Sequence, residues 1–134
     1  MNKNTMQYIM FIHNSPNWDS VSKDEKNRIH EACGTWHEEL VRSGHSRGAV
    51  GLQPASTSTT LRQESGNAIV TDGPFIETKE VLGGFEILEC ANLDEALAIA
   101  KRFPALQNGS IVELRPVLGA QIQATVVGTW CHED

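Results

Sequence analysis

The sequence predicts an α+β domain in which two helices cover one face of an antiparallel sheet. Strand-like and helix-like segments alternate in the order β, α, β, β, α, β, and each helical segment is apolar along one side only. The 134 residues are enough for one hydrophobic core. Because two one-sided helices pack most economically on the same sheet face, we expect a ferredoxin-like domain over residues 1–116, with residues 117–134 as a C-terminal extension.

The first two elements are a buried strand and a long helix. Residues 6–13 form a compact run of β-favouring apolar residues, which Asn-Ser-Pro-Asn then interrupts. Ser22 and Glu25 have the spacing of a capping box, and Gly44 supplies the helix stop. Between them, residues at helical spacing predict one apolar face: Ile29, Cys33, Trp36, Leu40 and Val41.

The middle of the chain predicts a β-hairpin. Residues 48–56 are irregular, with Gly-Leu-Gln-Pro at 51–54, and the sequence then becomes β-like. Gln-Glu-Ser-Gly-Asn at 63–67 is typical of a turn, and strand-like residues resume after it. We therefore expect a hairpin over residues 57–72 that ends at Asp72.

The last elements are a strand, a second helix and a final strand. Two glycines at 83 and 84 precede the strand-like residues 85–90, and Asn92 has the position of a second helix cap. Pro104 helps to end that helix, and residues 111–115 predict a final core strand. The apolar side of the second helix comprises Leu93, Ala96, Leu97, Ala100 and Phe103.

Composition excludes several classes of protein. The net charge is −6 and the lysines and arginines are not clustered, which argues against nucleic-acid binding. No apolar run approaches the roughly 18 to 20 residues of a membrane helix, and the N-terminus lacks the features of a signal peptide, so we expect a cytoplasmic protein without a membrane partner. Cys33, Cys90 and Cys131 are widely spaced, and no histidine pair has the i, i+4 spacing of helical ligands, so we expect no disulfide, metal or cofactor.

The predicted sheet leaves one face without helices. A chain of this length has no further helix to cover that face, so we expect a homodimer in which two sheets pack together. The extension contains the β-favouring run Gln-Ile-Gln-Ala-Thr-Val-Val, which predicts an added edge strand or a contact with the dimer partner.

The segment VTDGPFIETKE, residues 70–80, is the most unusual stretch of the chain. Asp-Gly-Pro by itself is typical of a turn, because glycine opens backbone angles and proline fixes one. The carboxylate of Asp72 then has two plausible roles. It can accept backbone N–H groups and hold the turn, or it can orient a neighbouring histidine that acts as a general base.

The chain resembles the YciI-like superfamily, in its DGPF-domain branch. The resemblance lies in the opening strand, Gly-Leu-Gln-Pro at 51–54, VTDGPFIETKE with the Leu-Gly-Gly-Phe that follows it, Leu-Asp-Glu-Ala at 93–96, and Val-Glu-Leu-Arg-Pro at 112–116. It implies a dimeric α+β barrel. Some members of this branch are similar to proteins encoded beside or fused to extracytoplasmic-function sigma factors, and a few relatives are enzymes, one of them a dehydrochlorinase.

In the enzyme-like relatives, a histidine on the first helix and an aspartate near the Gly-Pro turn are the proposed dyad. The resemblance therefore implies Asp72 with His37 as catalytic residues, and His13, at the end of the first strand, is an alternative base. His37 can equally be a packed histidine bonded to the backbone. We expect a pocket between the sheet and the first helix.

Further side chains are candidates for the pocket wall or rim, and each has a simpler structural explanation. Aromatic residues can form the wall or plain core, the charged residues can meet an anionic group or remain solvated or salt-bridged, and the turn residues can serve the turn alone. These candidate binding residues are Trp36, Pro74, Phe75, Lys79, Phe85 and Arg62.

Two functions follow from these expectations. The first is a small-molecule-binding protein or an acid/base enzyme. The candidate reactions of such an enzyme are those of a lyase or a dehydrochlorinase. The second is a non-catalytic accessory module that binds a partner related to a sigma factor. Gly-rich phosphate loops, nucleophile elbows and dinucleotide fingerprints are absent from the sequence.

Overall fold

The computed structural model describes residues 5–76 and 81–118. These residues form an α+β domain with six strands, two α-helices and three short 3₁₀ turns. The strands and helices, in chain order, are β1 (Met6–His13), α1 (Lys23–Arg42), β2 (Ser46–Gly51), β3 (Thr59–Glu64), β4 (Asn67–Asp72), β5 (Leu82–Cys90), α2 (Leu93–Lys101) and β6 (Ile111–Pro116).

Four strands form the main sheet in the order β2-β5-β1-β6, and all neighbouring pairs are antiparallel. With β3 and β4 set aside, this is the β6-β1-β5-β2 order of a ferredoxin-like α+β fold, which confirms the predicted class. Strands β3 and β4 pair with each other, which confirms the predicted hairpin, but they form a two-stranded sheet of their own and not a part of the single predicted sheet. Ser65 and Gly66 both have positive φ, the geometry of a two-residue turn that matches the twist of the strands.

The sheet has an edge strand that the sequence did not reveal. Strand β2 pairs with β5 within the stretch that we expected to be irregular. Its register shifts between Ser46 and Gly48, and Gly48 has a φ of +135°. A short edge strand with two glycines and a bulge has little of the β-favouring pattern by which strands are recognised.

Both helices begin as the sequence predicts. The Ser22 hydroxyl accepts the Glu25 backbone N–H at 3.1 Å, and the Asn92 amide oxygen accepts the Glu95 N–H at 2.9 Å. The reciprocal half of the first capping box is not made, because the Glu25 carboxylate pairs with Arg28 instead. Gly44, with a φ of +83°, ends α1 in the left-handed conformation.

The core lies between the helices and one face of the sheet. Side chains from α1, α2, the turn after α2 and alternate positions of β1 and β5 fill it, among them Met10, Leu88 and Phe103. The predicted apolar faces are correct except at three positions: Val41, Leu93 and Leu97 are exposed, and Ile99 is buried in their place on α2. No helix of the described residues has the length and apolar content of a membrane span.

Candidate functional site

A groove of about 1080 Å³ runs between α1 and the ends of β1 and β5. We call it the helix groove. Its α1 side consists of six residues, each of which has another member of the set three or four positions away: Lys23, Lys26, Asn27, Ile29, His30 and Cys33. That spacing places them on one stripe of the helix, so the groove follows α1 for several turns.

The rim of the helix groove is polar and ordered by aromatic contacts. The Lys26 ammonium lies 5.3 Å from the centre of the Trp18 ring, and the His30 and Trp18 rings are 5.4 Å apart at 42°. An ammonium over an indole face is attracted by the negative face of the ring. Trp18 therefore holds both a cation and an imidazole at the edge of the groove.

The floor of the helix groove is apolar. Cys33 and Phe103 each have only 1% of their surface exposed, and Ile12, Ile29 and Ala105 are also buried. The groove thus reaches the side chains of the hydrophobic core. A polar rim above an apolar floor is the usual arrangement of a small-molecule site.

The far wall of the groove is built by the loop after β2 and the start of β5. Leu52, Val81 and Leu82 line it, and Asn14 lies at its end with its backbone N–H bonded to the Val81 carbonyl at 2.8 Å. A methyl group on Gly83 would lie 2.7 Å from the Asn14 amide carbon. Glycine at 83 therefore permits the Asn14 side chain to lie against the β5 backbone.

A second cavity of about 630 Å³ adjoins the first, and we call it the turn pocket. The two cavities share Leu52, Gln53, Val81 and Leu82. The remaining wall of the turn pocket comes from the hydroxyl-rich residues 55–58 and from the turn after β4, including Pro74. The two cavities are therefore neighbours that meet at Leu52 and Val81.

A buried carboxylate lies beneath α1, next to His37. His37 Nδ1 is 3.0 Å from both carboxylate oxygens of Glu86, a residue with no exposed surface. The Ser46 hydroxyl also donates to Glu86 and in turn accepts the Gly48 N–H at 3.1 Å. The hydrogen bond to Glu86 is the largest cause that raises the pKa of His37, while burial of the ring opposes it.

The sequence model of the YCII-related domain matches residues 6–119, which is most of the chain. The chain belongs to the YCII-related family. A protein of Rhizobium meliloti (strain 1021), known only as an uncharacterized protein, is 38% identical to this YCII-related chain over 97 residues, covering 72% of the chain and 78% of that relative. These comparisons confirm the resemblance and leave the activity to be inferred from the site.

In this YCII-related chain, Asp72 is exposed at the end of β4, where it lies opposite Thr59. The turn after it is held by other groups: the Gly73 N–H donates to the Ser58 carbonyl at 2.7 Å, and the Thr60 hydroxyl donates to the Gly73 carbonyl at 2.7 Å. Within the described residues, no hydrogen bond or ion pair joins the Asp72 side chain to a histidine. A catalytic role for Asp72 stays a prediction.

The two predicted histidines lie beside glutamates. His37 is bonded to Glu86, as described above, and His13 Nε2 lies 3.7 Å from a Glu113 oxygen. His13 Nδ1 is buried and has no hydrogen-bond partner within the described residues. The structure therefore provides a carboxylate partner for each imidazole, and in neither case is it Asp72.

The predicted wall residues do not form one surface. Trp36 is buried in the core, where its indole N–H donates to the Ile99 carbonyl at 3.2 Å. Phe85 alternates with the core-facing Glu86 and pairs with Phe11, so it lies on the other face of the sheet. Trp36 and Phe85 therefore lie on opposite sides of the sheet and do not line one pocket together.

The remaining candidates lie around the hairpin and the turn. Pro74 lines the turn pocket, Phe75 is largely exposed, and Arg62 pairs with Glu64 at 3.3 Å on the surface. Lys79 and the residues of the C-terminal extension from 119 onward lie outside the described residues. No group of three or more potential metal-ligating side chains occurs in residues 5–76 and 81–118.

Several residues of the site were missed from the sequence, and two of them had a visible signal. Glu86 alternates with Leu88 and Cys90, so it had to point toward the core. His30 lies three residues before Cys33, close to the apolar stripe of α1. Asn14 and Lys26 gave no such signal, because their positions depend on Gly83 and Trp18, which only the tertiary structure brings near.

Proposed function

We propose that this YCII-related chain binds a small organic molecule in the helix groove. The observation that supports the proposal is the combination of a buried apolar floor with a polar rim in one cavity between α1 and the sheet. Ligand pockets of proteins have volumes on the order of 300 to 1,000 Å³. The groove, at about 1080 Å³, is close to the upper end of that range.

Two matched variants test this proposal. Leu52 and Leu61 are both exposed leucines, but only Leu52 lines the groove and the turn pocket. Ligand-observed NMR with a fragment library should give hits with the wild type and with Leu61→Trp. Leu52→Trp, in which the indole fills the junction of the two cavities, should lose them while keeping its thermal midpoint. Equal hits with both variants, or none with any protein, would contradict the proposal.

A second candidate function is proton transfer by His37, and a specific observation favours it. A carboxylate bonded to Nδ1 fixes the orientation of the ring and leaves Nε2 to exchange a proton, as in a general base and its orienting group. Glu86 takes the place that we expected Asp72 to occupy. His37 follows His30 by seven residues and therefore continues the stripe of the groove about 10 Å farther along α1.

Solvent exchange measures this activity without knowledge of the substrate. A library of small carbonyl compounds is incubated with the protein in deuterated buffer, and loss of the α-proton signals is followed by NMR. We expect exchange with the wild type and with His45→Asn, which changes a surface histidine paired with Glu95. Exchange should disappear with His37→Asn. Unchanged exchange with that variant would exclude His37 as the base.

We also propose that the chain forms a homodimer through the sheet face without helices. Ile9, Phe11 and Phe85 lie on this face by strand alternation and are only partly buried within one chain. Phe85→Glu should convert a dimer to a monomer in sedimentation experiments.

The accessory role beside a sigma factor stays a prediction. Capture of such a factor by the wild type and by Leu52→Trp alike would favour it.

A further inference from the structure

We infer that the occupant of the helix groove is a small amphipathic anion, with one carboxylate group and an apolar body. This inference rests on the proposed small-molecule function and specifies the class of ligand. It follows from the charges on the rim, from their position on α1, and from the neutral lining beyond them.

The rim of the groove is positive although the protein is acidic. Lys23 and Lys26 line the groove, and Asp19 is the carboxylate among the described residues of its lining. Two lysines against one aspartate leave one positive charge in excess, before any charge on His30 is counted. The net charge of the whole chain is −6, so this rim differs in sign from the rest of the molecule. An anionic group is the ligand that such a rim attracts.

The two lysines occupy positions that do not favour the helix. Lys23 is the first residue of α1, and Lys26 is the fourth. The N-terminal end of a helix has a partial positive charge, so cations there are unfavourable and anions are favourable. A bound carboxylate near these residues would be stabilised by both ammonium groups and by the helix end. Asp24 and Glu25, in the same first turn, offset part of the unfavourable charge in the empty site, and a bound carboxylate would add to their effect.

Lys26 is held in place rather than free in solvent. Its ammonium lies over the Trp18 ring at 5.3 Å, and its side chain is half-buried, whereas Lys23 is exposed. Trp18 itself packs against the core and contacts the His30 ring. A fixed cation loses little side-chain entropy when it binds an anion, which increases its contribution to affinity.

The lining beyond the rim requires an apolar body. Cys33 and Phe103 form the floor, and Leu52 and Val81 form the junction with the turn pocket. The wall on the far side of that junction has hydroxyl groups from residues 56–58 and no charged side chain among its described lining residues. A second charge on the ligand would therefore lie against apolar or neutral groups. One charged end at α1 and an uncharged remainder fit this distribution.

The test compares acids with their neutral isosteres. Phenylacetate, 1-naphthylacetate and octanoate are titrated by calorimetry, each beside the matching primary amide, against the wild type and two variants. Lys26→Met removes the rim charge and keeps the length of the side chain. Lys101→Met makes the same change at an exposed residue of α2 outside the groove.

We expect the acids to bind more tightly than the amides. Lys26→Met should weaken the acids about fivefold and the amides less than about twofold, because the lost contribution is that of one partly exposed charge pair. Lys101→Met should change neither, and added salt should weaken the acids alone.

The outcomes separate the two proposals. If the amides bind as tightly as the acids, and Lys26→Met affects both equally, the ligand is not an anion but the groove still binds small molecules. If none of the six compounds binds the wild type, the ligand class and the small-molecule function both fail. Binding of the acids that survives in Leu52→Trp would place the anion site outside the groove.

Discussion

His37 and Glu86 form a contact in which an imidazole nitrogen lies 3.0 Å from both oxygens of a carboxylate that has no exposed surface. The pair joins α1 to the centre of the sheet, and Ser46 extends it to the edge strand β2. A buried carboxylate is costly unless it is paired and hydrogen-bonded, so His37 and Ser46 help the core to tolerate Glu86.

Removing the imidazole of His37 should destabilise the fold more than replacing the Glu86 carboxylate with a neutral amide. His37→Leu leaves a buried charge with fewer partners and should lower the free energy of unfolding by about 3 kcal/mol. Glu86→Gln keeps a neutral group that can still bond Ser46 and should cost about 1 kcal/mol. Urea unfolding measures both. His45→Leu, which breaks the partly exposed pair with Glu95, is the control and should cost less than about 1 kcal/mol. Equal losses for all three variants would contradict a special role for Glu86.

The stability contributed by His37 should depend on pH in a defined direction. Its pKa is raised in the folded protein above the ordinary value of 6.5, chiefly by the Glu86 hydrogen bond. The stabilisation is therefore complete below the unfolded pKa and is lost as the pH rises through the folded pKa. The difference in thermal midpoint between wild type and His37→Leu should thus be larger at about pH 6 than at about pH 9. A constant difference would mean that His37 acts through packing alone.

Asp72→Asn should leave the hairpin intact. The Asp72 side chain is exposed and makes no hydrogen bond or ion pair within the described residues, so its change should alter stability by less than about 0.5 kcal/mol. Thr60→Val removes the hydroxyl bond to the Gly73 carbonyl and should weaken the turn by about 1 kcal/mol. Amide hydrogen exchange at Gly73 and in β4 reports both. Faster exchange in Asp72→Asn than in Thr60→Val would show that the carboxylate does hold the turn.

Gly83→Ala should change the groove more than the stability. The added methyl group meets the end of the Asn14 side chain, which can rotate away, and Gly83 does not have the positive φ that would strain alanine. We expect a loss of less than about 1.5 kcal/mol together with altered affinity for any groove ligand. If Asn14→Ala restores the stability that Gly83→Ala loses, the added methyl group clashes with the Asn14 side chain. If the losses of stability of the two substitutions simply add in the double variant, that clash is contradicted.

Gly34→Ala should stabilise the protein. Gly34 lies inside α1, and its φ is not in the left-handed region. Among the described residues, no atom outside its own stretch of the helix lies within 4 Å of the position of an added Cβ. Alanine in a helix interior is favoured over glycine by about 1 kcal/mol. The measurement is the urea concentration at the midpoint of unfolding, with the dependence of the unfolding free energy on urea unchanged. A loss of stability would contradict the open position of Gly34 on α1.

The sequence predicted the elements whose pattern is local and missed those that depend on distant residues. Caps, periodic helix faces and the turn at Ser65 and Gly66 were visible, because short-range chemistry determines them. Strand β2 was not, because its two glycines pair with β5 only through the register of the completed sheet. The resemblance implies His37 on α1 as a catalytic residue beside Asp72, and that role stays a prediction. The carboxylate that contacts His37 in the structure belongs to Glu86, which is 49 positions away in the chain, and no local spacing connects the two.

The hairpin of β3 and β4 has a consequence for engineering. Its two strands pair with one another, while the four strands of the main sheet pair without them. The Gly73 N–H bond to the Ser58 carbonyl closes the base of the hairpin. A peptide tag or a small reporter domain inserted at Ser65 and Gly66 should therefore be tolerated without interrupting the core, because these two residues lie at the hairpin end that is farthest from the bond between Ser58 and Gly73.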